Sequence, residues 1–215
     1  MSRPTFQEQV FLVREEAIVA AVNRQLAEKG FDQMTVDAIA AEVGIGKASL
    51  YKHFASKEEL AAAAMASVLD GALEHARQLD AQASLDDFER LQAMATWAVW
   101  RQIRGEMPAL PAQNPTLREA MRMHSGYMDR LLQLSEHLGR WIESARAAER
   151  LDPTLPPEFT LYTLLAKGCD PVVLILKEAG QHTDEAIVSW AVRACFAGLG
   201  ATGTGAAGPP DTGRR

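Results

Sequence analysis

Helical period runs through nearly the whole chain, and nowhere do several residues alternate apolar and polar in the manner of a half-buried strand. That property alone makes an all-α fold the expectation. Ile18, Val22 and Leu26 recur at i, i+4 and i+8 and line one face of a first helix, which Gly30 is placed to end because glycine takes up a left-handed cap. Phe31 can then fold back onto that face. In TVDAIAAEVG, Thr35 is placed to cap free backbone N–H groups, Asp37 suits the positive helix end, and Gly44 closes a helix of about two turns. After Gly44-Ile45-Gly46 the stretch KASLYKHF is expected as a second short helix. The S-x-x-E spacing of Ser56 and Glu59 then marks a capping box that starts an alanine-rich helix reaching about residue 80.

The remainder has the pattern of a separate helical body. Ser84-Leu85-Asp86-Asp87 is a capping-type start for a helix with Phe88, Leu91, Ala95 and Val99 on one side, ending near Gly105. MPALPAQNP is a loop, and period returns from Thr116 to Arg150 with an interruption expected at Ser125-Gly126. Leu131, Leu138 and Ile142 mark its apolar face, and LDPTLPP ends it. Two strongly apolar helices follow, over about 157–179 and 183–199, with a kink expected at Pro171. Helices apolar most of the way round need cover on more than one side, so a second subunit is expected over them. The tail 201–215, rich in Gly, Pro and Thr, reads as flexible. The organisation expected is a helix-turn-helix module over 1–60, a larger helical body over 61–200, and the tail.

Within a chain whose acids outnumber its bases 28 to 22, the window VGIGKASLYKHFASK contains Lys47, Lys52, Lys57 and His53 and no acid. On a helical wheel Leu50 and Phe54 point inward, Ser49, Ala48, Tyr51 and Lys52 outward, and His53 to the flank. Two short helices joined by a tight glycine turn, the second with small and basic residues outward, are what a helix-turn-helix requires. Ala48 and Ser49 keep the leading edge narrow enough for a major groove. Lys47 and Lys52 bring charge and Tyr51 a hydroxyl at phosphate distance, where a carboxylate would face the DNA backbone. The same residues on a solvated helical hairpin would make an ordinary lysine face, or the contact surface of an adaptor protein.

GFDQMTVDAIAAEVGIGKASLYKHFASKEEL resembles the DNA-binding module of TetR-family (TetR/AcrR-type) transcriptional regulators. Gly30, Phe31 and Thr35 match its opening, Ile39, Ala40, Gly44 and Ile45 its second helix and turn, and Leu50, Tyr51, His53, Phe54, Ser56, Lys57 and Leu60 its closing pattern. The likeness covers about residues 12–62. It implies that Lys47, Ala48 and Lys52 lie where the family touches base edges, and that Tyr51, His53, Ser49 and Lys57 hold phosphates, with Thr35 at the start of the preceding helix. Two departures stand out. The turn is Gly-Ile-Gly, which removes a hydroxyl cap before Lys47, and Asp37 takes a position that some relatives fill with a basic or polar residue. The resemblance further implies a homodimer paired through the two C-terminal helices at about 157–199, bound to a palindromic double-stranded DNA operator as a repressor. A small-molecule effector in the body would release it.

For that effector the candidates are Met94, Trp97, Trp100, Arg101 and Arg104 on one helix, where rings beside guanidinium groups could hold a flat or anionic ligand. Met121, Tyr127 and Met128, with Met123, form a soft cluster that Tyr162 could complete as a polar anchor. Either group could equally be ordinary core.

Other readings have less behind them. GTGAAG at 203–208 has the letters of a dinucleotide loop but leads into Pro-Pro-Asp rather than a helix. No zinc-protease or carboxylate-bundle spacing occurs, and Asp86-Asp87 is helix-start chemistry, so neither an enzyme nor a metal or cofactor is expected. Cys169 and Cys195 are far apart and read as buried small hydrophobes. The N-terminus MSRPTFQEQVF lacks an export signal and no uninterrupted apolar run approaches a membrane span, so a soluble, cytoplasmic protein is expected.

Overall fold

The computed structural model describes residues 5–108 and 114–200. The expected flexible tail, with its GTGAAG, lies outside the described residues, as does the middle of the MPALPAQNP loop. Among the described residues the chain is helical throughout, apart from one isolated antiparallel bridge between Leu151 and Gly200.

Helix α1 (Phe6–Gln33) is broken at Gly30, whose φ of 73° and ψ of 172° are open to glycine at little cost, and one further turn brings Phe31 onto the core. Helix α2 (Val36–Val43) is held at both ends as its sequence requires. The Thr35 hydroxyl accepts from the Ala38 N–H at 3.2 Å, and Gly44, at φ 74°, lets its own N–H and that of Ile45 reach the Ala41 and Ala40 carbonyls. Helix α3 (Lys47–Leu50) is shorter than expected. Only four residues of KASLYKHF are α-helical, Gly46 offers no side-chain cap, and residues 51–53 continue as turns. Helix α4 (Lys57–Asp80) begins at Ser56, whose hydroxyl accepts from the Glu59 N–H, while Glu59 reaches back to the N–H of Ala55, one residue before the cap.

In the body, Asp86 and Glu89 form the reciprocal capping box that starts α5 (Asp87–Ile103). Asn114 caps α6 (Pro115–Met123), which begins with proline at its first position. The expected interruption falls one residue earlier, at His124, which ends α6 and whose Nδ1 accepts from the Tyr127 N–H to start α7 (Ser125–Ala147). Pro171 does more than kink its segment. Helix α8 (Pro157–Leu165) runs into a 3-10 turn at Ala166–Cys169, and α9 (Pro171–Ala179) starts afresh with Asp170 as its cap. Helix α10 (Asp184–Leu199) completes the described chain. As one helix, Pro157–Ala179 would be long and apolar enough to cross a membrane, but it is two nine-residue pieces. Each is about 13 Å long, and a Lys167–Asp170 ion pair at 2.7 Å lies between them.

The apolar core falls into three clusters. The first gathers Ile18, Leu26, Phe31, Ile39, Leu50, Phe54 and Leu60 from α1 to α4, and takes in Leu117 from α6. The second joins the later part of α4 to α5, α7, α8 and α10 around Leu79, Leu91, Leu138, Ile142, Leu164 and Phe196. A third, smaller cluster holds Val99 and Ile103 against Val173, Ile187 and Val188. Helix α4 runs through both larger clusters without a break, so the first cluster is mounted on the body by a continuous rod.

Candidate functional site

The tight turn after α2 and the short α3 fix which side chains of the acid-free window face outward. Leu50 and Phe54 are buried, and Ile45 packs half-buried on the same core. That leaves Lys47, Ala48, Tyr51 and Lys52 exposed, Ser49 half-buried, and Thr35 exposed at the start of α2. Six of the eight sequence candidates are therefore at least partly accessible, although the Thr35 hydroxyl is already engaged as a cap.

Two candidates turn elsewhere. The His53 side chain, expected at the flank against phosphate, is 4% exposed, stacked on the Phe11 ring at 4.1 Å with Nδ1 3.7 Å from a Glu15 carboxylate oxygen. The helix ends at Leu50, so an eight-residue wheel misplaces whatever follows. Lys57 donates to the Asp32 carbonyl at 3.2 Å and lies 4.6 Å over the Phe31 ring, which ties α4 to the end of α1. Electrostatically the face is not uniform either. Lys47 is paired with Asp37 at 3.0 Å, which holds the ammonium above its ordinary pKa, while Lys52 has no ion-pair partner among the described residues. The sequence flagged Asp37 as a departure; the structure shows what it does there.

In the body an apolar chamber of about 220 Å³ opens between α4, α5, α7 and α8. Met94, Trp97 and Tyr127, three of the nine effector candidates, line it. The other six do not. Met121 packs on the first core cluster, Trp100 on the third, Met128 and Tyr162 are exposed, and Arg104 lies over Trp100. Arg101 covers the outer side of Trp97 at 5.4 Å and pairs with Glu106 at 2.9 Å. Much of the wall comes from residues the sequence did not single out, among them Met65, Val68 and Ala72 of α4, Leu134 of α7 and Leu164 and Leu165 of α8, while Leu131 and Leu138 enter it from the apolar face expected for α7. Cys169, expected buried, is exposed at the chamber's rim, whereas Cys195 is buried as expected.

The chamber wall carries no charge. Burial raises the Tyr127 phenol above its ordinary pKa and lowers that of His75, which stacks on Trp97 at 5.4 Å, while the apolar wall around the rim partly desolvates the Cys169 thiol and raises it although the residue is exposed. A second, more open cleft of about 480 Å³ lies next to it, between residues 27–33 at the kinked end of α1 and residues 102–108 and 168–174 of the body. Met107, Gly168 and Cys169 line both.

Residues 18–64 match the family model described as bacterial regulatory proteins, tetR family. Over 150 residues the chain is 31% identical to uncharacterized HTH-type transcriptional regulators of Mycobacterium bovis and Mycobacterium tuberculosis, a span of 66% of this chain and 72% of theirs. The fatty acid degradation regulator FadR from Bacillus halodurans superposes with a TM-score of 0.66 at 16% identity, covering 86% of this chain and 96% of that one. FadR from Bacillus subtilis in complex with stearoyl-CoA gives 0.65 at 14% identity, covering 86% and 98%. The ketosteroid transcriptional regulator KstR2 of Mycobacterium tuberculosis gives 0.57 at 20%, covering 87% and 95%. At these identities the solved structures speak for the fold.

Proposed function

The chain belongs to the tetR family of bacterial regulatory proteins, and on that premise we propose that this transcriptional regulator is a homodimeric repressor that grips a palindromic operator and is released by a small molecule. The observation that carries the reading is the exposed side of α3 and the turn after it, where Lys47, Ala48, Tyr51 and Lys52 are accessible without an acid among them. Ala48 and Ser49 give α3 a slim leading edge for the major groove, Lys52 and Tyr51 take phosphates, and Thr35 stands close to the backbone on the neighbouring helix. Lys57 and His53 act from behind, Lys57 by fixing the end of α1 and His53 by packing on Phe11. Such a protein works beside the chromosome, in the cytoplasm.

The dimer reading is supported by an apolar surface on the last helices. Phe159, Tyr162, Val172, Ile175 and Trp190 are each 43–67% exposed, more than a lone soluble subunit would leave in one region. A partner subunit there would set two α3 helices about 34–36 Å apart, one turn of DNA. The effector reading is supported by the uncharged chamber. The fatty acid degradation regulator FadR and the ketosteroid transcriptional regulator KstR2, which share this fold, fit an apolar ligand here too.

The test is fluorescence anisotropy with labelled duplex from the DNA beside the protein's own gene and a scrambled control, across a salt series. Sequence-selective binding at two subunits per site that weakens steeply with salt is expected. Salt-insensitive binding, or equal weak binding to every fragment of a genomic pool, would favour an adaptor role for the N-terminal helices. Asp37→Asn is expected to free Lys47, strengthen binding to any duplex and steepen the log–log salt slope by about 1.8, the value for one added phosphate contact on each of two subunits. An unchanged slope would place Lys47 away from the phosphates.

A further inference from the structure

The chamber and the cleft beside it are separated by little more than one side chain. Met107 lines both, with Gly168 and Cys169. Its Cε lies where even a methyl group on residue 168 would be only 2.5 Å away, so glycine at that point lets the thioether sit down on the backbone of the 3-10 turn. An unbranched methionine is also the side chain that moves aside most readily.

One of the residues lining the cleft carries an unpaired polar atom. Gln102 is 6% exposed and lines the cleft; its Nε2 donates to the Asp170 carbonyl at 2.9 Å, and its Oε1 is buried with no partner. The bond to a carbonyl fixes which end of the amide is the NH2, so the unpaired end is the acceptor. A buried acceptor left unpaired is costly unless something supplies a donor. Lys29, the cation on the cleft wall, is bound to Gln25 at 3.1 Å, and Asp32 stands beside it.

We propose that chamber and cleft are two halves of one ligand site, taking an amphiphile with an uncharged, hydrogen-bond-donating head on Gln102 Oε1 and an alkyl tail that displaces Met107 to fill the chamber. This rests on the ligand-release reading above and names its ligand class. The size follows from volume. An apolar cavity of about 150 Å³ takes benzene, so 220 Å³ corresponds to roughly nine carbons. A stearoyl chain is far too long for the chamber alone. A carboxylate head would meet the lone pairs of Gln102 Oε1, whereas a hydroxyl or primary amide donates to them. The head would also lie against Gly30 and Phe31 at the broken end of α1, and so touch the DNA-facing unit and the body at once.

Calorimetry on the full chain without DNA tests this with n-alkan-1-ols and n-alkanamides of six to twelve carbons, the matching carboxylates, and toluene as a headless probe. Affinity is expected to rise about fourfold per methylene, to level off near nine carbons, and to be at least tenfold weaker for nonanoate than for nonan-1-ol. Gln102→Met should weaken nonan-1-ol about tenfold and leave toluene unchanged, which a general loosening of the fold would not do. Ala72→Leu and Ala98→Leu, two separate ways of filling the chamber, should each weaken every probe. Met107→Ala should move the best tail length up by roughly three carbons, the side-chain atoms it removes. No binding by any alcohol or amide up to its solubility, tighter binding of nonanoate, or indifference to both chamber-filling variants would overturn the proposal. Operator release by the same alcohols is read separately by anisotropy. Alcohols that bind with this pattern and leave the duplex in place would sustain the site and sink the ligand-release reading.

Discussion

Leu117→Ala is expected to cost about 2–5 kcal/mol and to lower the urea midpoint by roughly 1 M or more for a chain of this size. Leu117 is 1% exposed and is the one buried residue of α6, yet it packs in the cluster built by α1 to α4. Truncating it opens a cavity at the point where the body is locked to the DNA-facing unit, and neither side can collapse without pulling the other. Leu117→Met, which keeps the volume, should cost less than about 1.5 kcal/mol. Circular dichroism against urea measures both. A truncation within about 0.5 kcal/mol of the parent would mean that α6 does not contribute to that core.

Lys52→Glu is expected to weaken operator binding by at least about a hundredfold near 0.1 M salt, since each phosphate contact is worth roughly one power of ten there, the dimer loses one from each subunit, and the reversed charge adds repulsion. The log–log salt slope should fall by about 1.8 or more, about 0.9 for each subunit. Stability should stay within about 0.5 kcal/mol, because Lys52 is exposed and has no ion-pair partner among the described residues. Anisotropy over a salt series and a urea melt on the same preparation separate the two effects. Retained affinity would remove Lys52 from the interface, whereas joint loss of binding and fold would make it structural.

Much of the DNA-facing unit was legible because its determinants are local. Thr35, Gly44 and Ser56 act within four residues of themselves, and the i, i+4 pairs of α1 identify their own inward face. His53 was not legible, because its position depends on where a four-residue helix stops and on a ring forty-two residues earlier in the chain, Phe11. The chamber was read only in part for a related reason. Periodicity puts Phe88, Leu91, Ala95 and Val99 on one side of α5, whereas Met94 and Trp97 stand out on the opposite face by residue type alone, and a void exists only where side chains of several helices fail to meet. Trp100 belongs to the same helix as Trp97 and Arg104 caps it, yet Trp100 packs on the third cluster and Arg104 lies over Trp100. Likewise Pro171 announces a disturbance without saying that Asp170 will cap a new helix there.

The bridge between Leu151 and Gly200, supported by the Asp152 N–H on the Leu199 carbonyl at 2.9 Å, has a practical side. Arg150 beside it pairs with Asp86 at 2.8 Å and covers Phe88, which meets Phe196 edge-on, so the last described residues are pinned beside the junction of α4 and α5. Helix α4 is 24 residues long, or about 36 Å, and carries the unit of α1 to α3 at its opposite end. A surface anchor, dye or affinity handle joined after Gly200 therefore departs from the far pole of the molecule. Immobilised in that way, the protein presents its basic face to the solution rather than to the chip.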